Sequence, residues 1–159
     1  MKKGIFAFLG VLFVGLLAFV PLAGAQHSHG GMTMGEGMKM DTKEVLVEGL
    51  KITFQVMANA DHLKMLKDMK MKEDIETGTT HNVTVTLKDQ HGMDVTAAKV
   101  SMKVVDPKGK DQIKSLKYED MMKSYDAYFN LPEKGKYQIL VLIRTGDQKR
   151  TAGIYYEIK

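Results

Sequence analysis

The chain has 159 residues, thirteen methionines, five histidines, no cysteine and no tryptophan, and a formal net charge of +4. Without cysteine there is neither a disulfide nor a thiolate nucleophile, so stability has to come from a packed apolar core. Lysines alternate with acids along the chain and leave no basic patch for nucleic acid.

Lys2 and Lys3, the apolar run from Ile5 to Val20 and the small residues Ala23-Gly24-Ala25 have the form of a secretory signal, residues 1–25, cut after Ala25. The run is shorter than a membrane span usually needs, and no cysteine is present to carry a lipid. The product is expected to be periplasmic or secreted, with no stable membrane insertion after cleavage. About 134 residues then remain, one ordinary domain plus a tail.

Residues 26–42 read as a flexible segment, in which His27, His29, Met32, Met34, Met38 and Met40 stand among glycines. Such a stretch is too polar and too small-residued to bury itself. Thioether sulfur is soft and suits Cu(I), whereas imidazole serves both oxidation states, so the donor set points to copper, as Cu(I) and also as Cu(II). A low-complexity tail whose methionines bind nothing is the alternative.

Residues 43–159 read as a β-sandwich domain. Glu44–Glu48 and Leu50–Val56 carry an apolar residue at nearly every second place and predict a hairpin or an edge bend about Gly49. His81–Lys88 is the clearest strand, with Val83, Val85 and Leu87 on one side. Asp89-Gln90-His91-Gly92 predicts a turn. Ala98–Val105 repeats the alternation with Val100, Met102 and Val104 inward, and Asp106-Pro107-Lys108-Gly109 predicts a second turn. Tyr125–Leu131, Tyr137–Arg144 and Ala152–Ile158 complete the set, the last two joined across Gly146-Asp147. Several strands separated by polar turns make the fold class all-β, an immunoglobulin-like β-sandwich.

One short inserted helix interrupts this pattern. From Asn59 to Lys72 the apolar residues fall at Leu63, Met65, Leu66, Met69 and Met71, with Asn59 or Asp61 as the cap. His62, Met65 and Met69 share a face at i, i+3 and i+7. That face is a metal site, completed by His81 at the start of its strand, or else Leu63, Leu66 and Met69 are the side that docks on a sheet and His62 is a solvated end residue. His81 itself is a ligand or a hydrogen-bonding rim residue. Met-Xaa-Met recurs at Met32-Thr33-Met34, Met38-Lys39-Met40 and Met69-Lys70-Met71. The excess methionine thus lies in the tail and the helix, not in the strands. His91 with Met93, and Met121-Met122, are further exposed donors in turns.

The block from Gly78 to Val85, Lys88-Asp89, Ala98-Lys99-Val100, Val104, Asp106-Pro107-Lys108-Gly109 and Gly135-Lys136-Tyr137 resembles the periplasmic immunoglobulin-like modules of the YtkA-like and FixH-like kind. More loosely, the chain from Val45 to Lys159 is similar to copper carriers of the CopC type. The resemblance implies a small sandwich associated with copper handling and oxidase maturation. Two departures stand out: CopC-type carriers bind Cu(II) through a histidine at the mature N-terminus, where this chain has Gln26, and Asn82 follows His81 where related modules often have a second histidine.

No nucleophile elbow, phosphate-cradling glycine loop or zinc-binding helix motif is present, and the acids do not pair as acid/base catalysis requires. The sequence therefore predicts a binding protein, not an enzyme. Its expected partners are a copper ion and a periplasmic copper acceptor or donor protein. The competing expectation is a secreted interaction module that grips a protein without metal.

Overall fold

The computed structural model describes residues 41–72 and 74–159. The expected signal and the tail ligands His27, His29, Met32, Met34, Met38 and Met40 lie outside the described residues. Nine strands and one helix are described: β1 (Asp41–Val47), β2 (Leu50–Ala58), α1 (Asn59–Asp68), β3 (His81–Lys88), β4 (Lys99–Val105), β5 (Asp111–Ser115), β6 (Lys117–Glu119), β7 (Ser124–Phe129), β8 (Gly135–Thr145) and β9 (Gln148–Ile158). They build two antiparallel sheets, ordered β1-β2-β3-β7-β6 and β5-β4-β8-β9. Asp41 and Thr42, assigned above to the tail, open β1 opposite Val56 and Gln55.

Alternation dictates the packing. Ile52, Phe54 and Val56 of β2, Val83, Val85 and Leu87 of β3, and Tyr125 and Phe129 of β7 are buried against Val100, Met102 and Val104 of β4 and Ile139, Val141 and Ile143 of β8. This is the aligned two-sheet core expected from the period-two pattern. Burying an aromatic requires its polar end to find a partner. Tyr125 donates to the Val95 carbonyl and accepts from the Ala98 N–H, both at 2.9 Å, which ties the 89–98 connection to the core. Glu48 and Gly49 both have positive φ, 48° and 76°. They make the mirror-image two-residue turn whose twist suits a hairpin, so β1 and β2 pair without a bend.

Three features differ from the sequence pattern. The helix ends at Asp68 rather than Lys72, and its N-cap is Ala58 with no side-chain cap. The Asn59 amide is drawn instead to the Thr79 carbonyl and hydroxyl, each at 3.0 Å. The short strands β5 and β6 have no counterpart in the apolar alternation. Finally, β3 is covered on both faces: Asn82 and Thr84 are buried along with Val83 and Val85. They are satisfied by Thr84 Oγ1 donating to Asn82 Oδ1 and by Asn82 Nδ2 donating to Asp126 Oδ2, each at 2.8 Å. Among the described residues no helix is long and apolar enough to cross a membrane.

Candidate functional site

The outer face of the five-stranded sheet carries a mixed row set by register, in which Met57 of β2 lies beside Asn82 of β3 and Asn82 beside Tyr128 of β7. α1 comes down near this row through its two buried residues, His62 and Leu66. The His62 ring sits 5.5 Å from the Tyr128 ring, with Nδ1 3.1 Å from the tyrosine hydroxyl. Its other nitrogen, Nε2, is buried and has no partner.

Immediately beyond the helix the backbone reverses. The Lys70 N–H bonds the Lys67 carbonyl and the Met71 N–H bonds the Leu66 carbonyl, at 3.0 and 2.9 Å, with Lys70 at φ 54°. This paired closure, with a left-handed residue just past the helix end, is the Schellman arrangement. It turns Met71 back toward Leu66, one helical turn after His62. From the opposite side, the β6–β7 turn at residues 120–123 supplies Met122. That turn is closed by Lys123 at φ 51° and by its 2.7 Å ion pair with Asp120.

Between these elements lies a cleft of about 500 Å³. His62, Leu66 and Met71 form its helical wall, Asp126 and Tyr128 its floor, and Met122 lies on the β6–β7 side. Its rim is charged; Lys114 holds both Glu76 carboxylate oxygens at 2.7 Å. Burial shapes the acid–base character of the interior. It holds His62 below its usual pKa, so the ring is neutral at physiological pH. Burial, aided by Asp126, pushes Tyr128 up to about 12 and keeps its proton in place. Burial also raises Asp126, partly opposed by its hydrogen bond from Asn82.

Of the donors singled out in the described region, His62 and, from the Met121-Met122 pair, Met122 line this cleft. Met65 and Met69 are half-buried and lie outside it. His81 is on the other side of the sheet: it pairs with Phe129 on the core-facing side, and its ring lies 6.2 Å from Tyr156 of the second sheet. His81 Nδ1 is 2.9 Å from the Thr80 hydroxyl, which also accepts the Leu131 N–H at 2.8 Å. His62 and His81 therefore do not meet. His91 and Met93 stay exposed on a turn that is closed through Asp89, whose carboxylate accepts both of their N–H groups. Among the described residues no three His, Asp or Glu side chains converge as a metal cage. The cleft instead offers one imidazole and two thioethers beside the carboxyl groups of Asp74, Glu76, Glu119 and Asp126, and Met71 acquires its place from a helix terminus whose left-handed lysine gives no sequence signal.

No protein-family model matches the sequence, and no curated protein matches it, so membership of the YtkA-like, FixH-like or CopC-type families is not shown. Among solved structures, FetP of uropathogenic Escherichia coli strain F11 superposes with a TM-score of 0.57 at 9% identity, over 78% of this chain and 97% of FetP. A copper-bound variant of FetP gives 0.57 and 9% over 75% and 97%. A DUF4426 family protein from Pseudomonas aeruginosa PAO1 gives 0.54 and 14% over 74% and 94%. At such identities the likeness establishes architecture: this chain is a two-sheet β-sandwich of the kind found in FetP and in that DUF4426 family protein.

Proposed function

We propose that this chain is an exported, periplasmic or secreted, copper-binding or copper-delivery protein rather than an enzyme. It holds the metal through methionine and histidine donors kept outside the sandwich core. The observation that carries this reading is where the methionines sit. Of those in the described residues, Met57 and Met102 are buried, while Met65, Met69, Met71, Met93, Met121 and Met122 are half-buried or exposed around α1 and two turns. Methionine used as apolar filling concentrates in the interior, which is not the distribution here. A copper-bound FetP with the same architecture supports the same metal. Individually weak thioether bonds allow the ion to be passed on by stepwise ligand exchange.

The tail ligands His27, His29, Met32, Met34, Met38 and Met40 are assigned to capture, and a copper donor or acceptor protein is the proposed exchange partner. One observation favours the competing interaction-module reading. The outer face of the four-stranded sheet has an apolar groove lined by Ile113, Leu140, Leu142 and Gly153, with Ile113 67% exposed. An anaerobic Cu(I) competition titration against a chromophoric chelator, on the chain from Gln26 onward, separates the two. The copper reading expects stoichiometric withdrawal of Cu(I) from the chelator. No withdrawal leaves the interaction module.

A further inference from the structure

We propose that the cleft between α1 and the β6–β7 turn is a Cu(I) site separate from the tail, with His62 Nε2 and the thioethers of Met71 and Met122 as its ligands. The inference rests on the copper reading above and gives it a location inside the folded domain.

The first support is the orphaned nitrogen. Buried polar atoms in folded proteins nearly always have a partner, because an unpaired one loses its hydration for nothing in return. His62 is only 2% exposed and lines the cleft, yet Nε2 has no hydrogen bond. A ring nitrogen left free in this way is what a metal ligand requires. The second support is the opposite side of the same ring. Metal-bound imidazoles characteristically donate their other N–H to a fixed acceptor, which sets both tautomer and orientation. The Tyr128 hydroxyl, 3.1 Å from Nδ1, stands in that position. With the proton on Nδ1, the Nε2 lone pair is available. Tyr128 is thus a positioning residue.

The third support is the donor set. Met71 and Met122 arrive from two unrelated segments, one through a helix-terminating reversal and the other through a strand turn, and both line the space that His62 lines. The cleft also holds the carboxyl groups of Asp74, Glu76, Glu119 and Asp126, with Glu76 paired to Lys114, but one imidazole and two thioethers are the soft part of its donor set and suit a soft monovalent ion. Zinc, calcium and magnesium favour thiolate, imidazole or oxygen cages. Asp126 on the floor accepts a hydrogen bond from Asn82, which occupies one of its carboxyl oxygens. The roughly 500 Å³ of the cleft leaves room for an incoming donor to displace these ligands one at a time.

The test isolates the cleft in the full chain. His27 and His29 are changed to Ala, and Met32, Met34, Met38 and Met40 to Leu. Cu(I), and Ag(I) as its redox-stable substitute, are then titrated anaerobically while the imidazole nitrogens are followed by long-range proton–nitrogen NMR. A single equivalent is expected to remain, with the His62 Nε2 resonance shifting and that of His81 unmoved. Adding Met122→Leu, a turn substitution that leaves the core intact, is expected to weaken this uptake by about tenfold or more, and His62→Leu to abolish it. If the tail-substituted chain takes no metal while the unsubstituted chain does, the cleft assignment is overturned and the copper reading stands. The assignment is equally overturned if uptake persists but ignores both His62→Leu and Met122→Leu. If the unsubstituted chain also takes none, the copper reading itself fails.

Discussion

Replacing His62 by leucine separates a residue kept for structure from one kept for a ligand. The ring is buried, with one nitrogen at hydrogen-bond distance from Tyr128 and the other unpaired. Removing an unsatisfied buried polar atom relieves about 1–3 kcal/mol, while giving up the net value of one hydrogen bond costs about 0.5–1.5 kcal/mol. Leucine is close in volume and fills the site without a cavity, and the Tyr128 hydroxyl it releases lines the cleft, where water can take the ring's place, so the balance is a stabilisation of about 1 kcal/mol for the metal-free protein. For a domain of this size that raises the melting temperature by roughly 3–5 °C. The assay is denaturant and thermal unfolding, followed by circular dichroism, with and without Cu(I). The variant should be more stable than the parent without metal, and should lose the part of the copper-induced stabilisation that comes from the cleft. A metal-free variant destabilised by about 1 kcal/mol or more, with copper-induced stabilisation unchanged, would show that His62 is a packing residue and refute the reasoning.

Tyr125→Phe strands the Val95 carbonyl and the Ala98 N–H, and should cost about 2–3 kcal/mol in urea unfolding; a loss below about 0.5 kcal/mol would mean that water replaces the hydroxyl. Gly135 sits at φ 127°, where an added Cβ would lie 2.9 Å from Pro107 Cγ, so Gly135→Ala should cost about 2 kcal/mol or more. Gly109→Ala, at φ 87° in open space, should cost about 1 kcal/mol; equal losses would show that the Pro107 contact relaxes away. Burial holds His62 and His81 below 6.5 in the folded chain, so between their folded pKa values and 6.5 the unfolded chain binds more protons and stability rises with pH. The melting temperature should therefore fall as pH drops below about 6.5, and His62→Leu should flatten part of that slope. Asp126, raised by burial, pulls the opposite way from 3.8 upward, so Asp126→Asn should steepen any acid loss in the overlapping range.

The main strands were legible because their side chains obey period two: Val83, Val85 and Leu87, and then Val100, Met102 and Val104, alternate cleanly and are buried as the alternation implies. β5 was not, because Asp111–Ser115 has a single apolar residue, Ile113, and it faces outward; its strand conformation comes from pairing with β4. β6 is only three residues long and owes its conformation to β7. The helix showed in its spacing, but its end did not, because a lysine takes the left-handed position that glycine would ordinarily mark. The same terminus explains the incomplete site. Spacing on a helix pairs His62 with Met65 and Met69, whereas the fold brings in Met71 after a reversal and Met122 from sixty residues away along the chain. No local pattern encodes that second meeting. The opposite placement of His62 and His81 was likewise hidden, since it depends on α1 covering the outer face while β3 turns His81 toward the core.

X-ray absorption at the copper edge, on the chain from Gln26 onward loaded anaerobically with Cu(I) and then desalted, tests the central claim most directly. Retained copper with a first shell that mixes thioether sulfur and imidazole nitrogen is the predicted result. Copper lost on desalting, or retained in a shell of oxygen and nitrogen alone, would contradict it.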